Sequence, residues 1–92
     1  MTIISIVPSE KTSIRAIFST IFEKADVKTW TISEGKYVLT HTQYGGKVHL
    51  YDGGYLVVSA DDPDKEALTL GAFINLLHRR AKENIKAITI VF

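Results

Sequence analysis

Cysteine is absent from the sequence, which excludes disulfides and every thiolate metal site. A small secreted domain would more often carry such staples, so a reducing, cytoplasmic setting is expected. Charge of one predominant sign is missing too, because Lys and Arg number 11 against 10 Asp and Glu, for a formal net charge of +1. Such a balance gives no reason to expect nucleic acid, a membrane surface or an acidic substrate as partner. No apolar run approaches the roughly 18 residues of a membrane span. The opening MTIISIVPSE also lacks the basic region and the small-residue cleavage site of a signal peptide. No membrane partner is expected.

What is present describes an ordinary folded domain. Hydrophobic residues make up 46% and charged residues 23% of the 92-residue chain, far from the composition of a disordered segment. One core, and thus a single α+β domain over residues 1–92, is the expectation for this length. No linker, repeat or low-complexity stretch interrupts it. Running from Met1 to a final apolar strand, the chain reads as a complete stand-alone product whose own surface must hold its function.

Local patterning gives the order β-α-β-β-β-β-α-β. Thr2 to Val7 is a nearly unbroken β-branched run, the signature of a strand buried on both faces, and Pro8 ends it. Ser9 is placed to cap a helix whose apolar positions Ile14, Ile17, Phe18, Ile21, Phe22 and Ala25 recur at spacings of three and four. From Val27 to Ala60 the period changes to two, punctuated by Glu34-Gly35, Gly45-Gly46 and Asp52-Gly53-Gly54, which predicts an antiparallel meander. Two-residue loops at the first two sites and a three-residue loop at the third bring Trp30, Ile32, Tyr37, Leu39, Val48, Leu50, Leu56 and Val58 onto one face, the core face. The opposite face then carries Thr29, Thr31, Val38, Thr40, Thr42, Tyr44, Lys47, His49, Tyr51, Tyr55 and Val57.

A second helix buries Leu70, Phe73, Ile74, Leu77 and Ala81. It starts either at Asp62 with Pro63 in the first helical position or at Thr69, and Thr69 is preferred because it keeps Gly71 out of the helix interior. Asn84 suits the end of this helix. Ala87 to Phe92 is again continuously apolar and is expected to be a central strand. Both helices have one apolar stripe, so the fold class is α+β, a two-layer sandwich with a mainly antiparallel sheet and both helices on one face.

Catalytic and metal-binding constellations are not found. His41, predicted at the core-side edge of a strand, His49 and His78 share no metal-ligand spacing. The acidic run Asp61, Asp62, Asp64 and Glu66 fails as a calcium loop, since the position that needs glycine is Glu66 and Pro63 stiffens the segment. An acidic solvated loop before a helix, helped by the helix dipole, explains it better. Serines and threonines fall at caps, turns and alternating strand positions, without a nucleophile elbow or a phosphate-cradling loop. No enzyme activity, metal or cofactor is expected.

The open sheet face holds the most content. Tyr44, His49, Tyr51 and Tyr55 cluster there with Lys47, a set suited to a protein interface, while Arg79 and Arg80 at the helix end provide a secondary contact. The expected function is a small protein-binding domain that inhibits or adapts a larger macromolecule, a description that small phage and mobile-element inhibitors also fit. The alternative is a single-strand nucleic-acid binder that stacks bases on the tyrosines; a small enzyme or enzyme subunit comes third. Lys47, with Lys36 farther off, is a thin supply of cations for a phosphate-tracking groove. An unpartnered aromatic patch also permits a homodimer, so monomer and homodimer are both expected forms.

Overall fold

In the computed structural model, which describes residues 1–24, 28–33, 38–51 and 54–92, the sequence runs as β1 (Thr2–Pro8), α1 (Ile14–Lys24), β2 (Trp30–Ser33), β3 (Val38–His41), β4 (Lys47–Leu50), β5 (Tyr55–Ser59), α2 (Pro63–Ala81) and β6 (Ile85–Val91). A 3-10 turn, Lys82–Asn84, joins α2 to β6. The strands form one antiparallel sheet in the order β2-β3-β4-β5-β1-β6. Both helices contribute to the core on one side of this sheet, so the α+β sandwich read from the sequence is the architecture found.

The core follows from the predicted alternation. Trp30, Leu39, Val48, Leu56 and Val58 are buried with Ile4 and Ile6 of β1 and with Ile17, Phe18, Ile21, Phe73 and Leu77 of the helices, while Ile32 and Leu50 pack at its margin. Tyr37, Lys36, Ala25, Val27, Glu34-Gly35 and Asp52-Gly53 lie outside the described residues. Each directly opposed pair of an antiparallel ladder shares a face, so the pairs Thr2↔Val58 and Ile4↔Leu56 fix the alignment of β1 with the meander.

Several local expectations are corrected. The first helix is capped by Ser13, whose Oγ accepts from the Ala16 N–H at 3.2 Å, whereas the Ser9 N–H donates to the Asn84 carbonyl and ties the start of the loop to the end of the α2 region. The second helix begins at Pro63 with Asp62 as its cap, its carboxylate accepting from the Lys65 N–H at 2.8 Å. Cap, proline and the acidic residues Asp64 and Glu66 in the first turn act together there, and they outweigh the cost of carrying Gly71 inside the helix. Thr69 is not a cap: it is fully buried, and its hydroxyl donates to the Lys65 carbonyl one turn back.

Neither apolar end strand is buried on both faces. In β1 the residues Thr2, Ile4 and Ile6 are buried, but Ile3 and Val7 on the other side are exposed. The last strand is not central: β6 stands at the edge of the sheet beyond β1, with Ile88, Val91 and Phe92 exposed. The helices cover the middle strands, and the single chain supplies no layer over the open side among the described residues.

The turn between β3 and β4 is also longer than the pair Gly45-Gly46. Thr40 pairs with Lys47 and the chain turns through residues 42–46. Two bonds close it, from the His41 N–H to the Gly46 carbonyl and from the Gly45 N–H to the His41 carbonyl, with Gly45 at φ 76°. Gly46 is required by close approach, because a Cβ there would stand 2.0 Å from the Thr69 hydroxyl oxygen. The difference moves the register by an even number of residues, so Leu39 and Val48 keep their face while Thr42 and Tyr44 leave the strand.

Candidate functional site

The open side of the sheet is built by the residues that alternate with the core positions. Across the ladder, Val38, His49, Val57, Ile3 and Val91 stand opposite one another in a row that crosses β3, β4, β5, β1 and β6. Next to it lies Tyr55, opposed to Ser5 and linked to Tyr51 by the bond from the Tyr51 N–H to its carbonyl. Neither helix reaches this side. Ile3 is 38% exposed, Tyr55 39%, Tyr51 40% and Val91 56%, so aliphatic and aromatic surface is continuous from β4 to the β6 edge.

Three rings here stack on one another. His49 and Tyr51 lie 4.4 Å apart between centroids at 20°, and Tyr51 and Tyr55 lie 5.3 Å apart at 9°. Tyr51 is the ring shared by both stacked pairs. A file of aromatics fixed in this way loses little rotamer freedom when a partner lands on it, the property that makes tyrosine effective in interfaces. Lys47, two residues from His49 on the same strand, points to the same side and is exposed. Among the described strand residues of this face it is the lone lysine or arginine.

Tyr44 does not belong to this group. His41 pairs with Trp30 and faces the core, only 5% exposed, and the Tyr44 ring stacks on it at 4.3 Å and 8°. The Trp30 ring stands perpendicular to the same imidazole, with centroids 4.8 Å apart. The Tyr44 N–H donates to His41 Nδ1 at 3.1 Å, so His41 is neutral with its proton on Nε2, and burial pushes its pKa below the ordinary 6.5. His41 thus fastens the β3-β4 turn from within. Thr42 fastens it from outside, its hydroxyl donating to the Lys28 carbonyl at 2.7 Å.

Val38, expected on a wetted face, is only 4% exposed and lies apart from the main core. Arg79 and Arg80 are exposed in the last turn of α2, where they complement the helix dipole. They sit on the helical layer, away from the tyrosines, so the structure brings His49, Tyr51, Tyr55 and Lys47 together and leaves the arginines and Tyr44 elsewhere. Val57 shares this face with Tyr51 and Tyr55 as the alternation predicts, and Ile3 and Val91 extend the surface, which the sequence patterning did not reveal; the continuous apolar runs of both end strands were the available signal.

Other places carry less chemistry. The depression lined by Ser9, Glu10, Lys11, Glu83 and Lys86 is open to solvent, and none of its side chains is buried. Among the described residues no cluster of His, Asp and Glu is arranged to hold a metal, and no helix is long and apolar enough to cross a membrane. Comparison with protein-family models, with curated proteins and with solved structures found no match.

Proposed function

We propose that this domain is a non-enzymatic protein-binding module that acts as an inhibitor or adaptor by seating a larger protein on its open sheet face. The observation that supports this most is the continuity of accessible apolar surface there: the exposed Tyr51, Tyr55, Ile3 and Val91 joined by the half-buried His49 and Val57. Contiguous exposed apolar surface marks interaction sites, and aromatic centres with a polar rim are the usual anchors. Ser5, Thr89 and Lys47 supply such a rim on the same face.

Binding of single-stranded nucleic acid fits less well. A base platform offers free ring faces, whereas Tyr51 already stacks with His49 and with Tyr55, and Lys47 is the one ammonium group among the described strand residues of that side. The tyrosine edges and hydroxyls remain available, and these suit a protein surface. The test is site-specific photo-crosslinking in cell extract from a benzophenone residue at position 57, against one at position 79 on the helical layer. Protein adducts are expected from position 57 and not from 79. Adducts from position 79 alone, or nucleic acid as the species captured from position 57, would overturn the proposal.

A further inference from the structure

β6 combines the composition of a central strand with the location of an edge strand. Of Ile85–Val91, only Lys86 is charged, no proline interrupts the strand, and the register shift in its pairing with β1 falls at the Val7/Pro8 end, leaving the segment from Ala87 to Val91 regular. Its outer side presents backbone N–H and C=O groups along seven residues. Monomeric proteins blunt such an edge with short length, charges, proline or a covering element, and β6 has little of this. The opposite edge does conform: β2 spans only Trp30–Ser33.

We propose that β6 is completed by β6 of a second copy, in an antiparallel pair about a two-fold axis perpendicular to the sheet. Symmetry restricts the geometry. Opposed residues in an antiparallel pair share a side, so a two-fold axis must pass beside a residue that faces itself. Both copies then keep their helices on one side and their open faces on the other, and the sheet becomes continuous through twelve strands, six from each copy. With Thr89 at the axis, Ile88 faces Ile90 of the partner subunit, Ala87 faces Val91 of the partner subunit, and the two Lys86 side chains are kept apart.

The area is sufficient for association of modest strength. Phe92 is 90% exposed, Val91 56% and Ile88 37%, and a phenylalanine side chain alone buries about 150–250 Å². With a seven-residue edge about 23 Å long, the pair covers on the order of 1,000 Å² in total, near the lower bound for a specific interface. A concentration-dependent dimer is therefore the expected state, and it stops at two because only the short β2 edges remain outside. The dimer shares Thr89 and Val91 with the margin of the tyrosine face, and its formation needs no other partner on that face.

Sedimentation equilibrium on the full chain over a hundredfold range of concentration tests it, with Thr89→Lys, Val91→Lys and Tyr55→Ala as variants whose folding is verified by circular dichroism. The expected result is a monomer-dimer equilibrium whose dissociation constant rises at least tenfold in either lysine variant and stays within twofold in Tyr55→Ala. Outward-facing β6 amides should also exchange more slowly at the high end of the range. A monomer throughout, a series of species beyond the dimer, or a dimer weakened by Tyr55→Ala and not by the lysine variants would overturn it.

Discussion

The two faces of this sheet are made from similar residues and have opposite fates. On the covered side Ile4, Leu56 and Val58 are at most 2% exposed, and no buried side-chain polar atom among the described residues lacks a hydrogen-bond partner. On the other, Ile3, Tyr55 and Val91 retain more than a third of their surface. Isoleucine, valine and aromatics occupy both, so composition does not separate them. What separates them is which side the helices fall on. Stability accordingly resides in the covered face, and the open face is where the proposed partner would be seated.

The contrast breaks first at Phe73. This residue is fully buried with its ring edge-on to Trp30 at 6.2 Å, and Phe73→Ala should cost about 3–5 kcal/mol in denaturant melts, most of the stability of a small domain. A cost below about 1 kcal/mol would show that the covered face is not the source of stability. Gly46→Ala comes next, at about 1–3 kcal/mol, because its Cβ must displace the buried Thr69 against which the turn rests. An unchanged melting midpoint would mean that turn and helix do not make this contact.

Acid should weaken the covered face in two stages. Burial holds the His41 pKa below 6.5 in the folded state, so its contribution is intact above that value and is lost as pH falls through the lower folded one. Glu66 follows at lower pH: hydrogen bonds from the Met1 ammonium group, at 3.0 Å, and from the Thr2 hydroxyl, at 2.9 Å, hold its carboxyl below 4.5. Its contribution is present above 4.5 and is lost as pH falls through the folded value. Stability measured against pH should fall below 6.5, and His41→Phe should flatten that first decline. An undiminished slope in the variant would assign the decline to other groups.

A smaller effect has the opposite sign. Gly71 is exposed in the interior of α2, and a Cβ added there would meet nothing within 4 Å, so Gly71→Ala should stabilise the domain by about 0.5–1 kcal/mol. Melts that show destabilisation would place a neighbour where the structure has open space.

The meander was legible because period two and helical spacing are enforced by burial on one side: Trp30, Leu39, Val48 and Leu56 had to share a face, and they do. Tyr44 was not placed by the pattern because the turn through residues 42–46 is set by side-chain contacts, the imidazole of His41 accepting from the Tyr44 amide three residues on and Gly46 resting against Thr69 of α2, which hydropathy alternation does not announce. The helix start at Pro63 is hidden when a single glycine penalty is weighed without the sum of cap, proline and first-turn acids. The end strands mislead for a different reason. Continuous apolar runs report that both faces become buried, and within one chain they are not.

That folding and binding occupy opposite faces of one sheet is tested most directly by the double variant Tyr51→Ala/Tyr55→Ala, when its melt and its capture of the crosslinked protein are measured together. Losing two half-exposed rings from a stack should change stability by no more than about 1 kcal/mol, while loss of interface anchors should weaken binding by about 2 kcal/mol or more, some thirtyfold. An unfolded variant, or a folded one that binds as tightly as the parent, would contradict this division of the two faces.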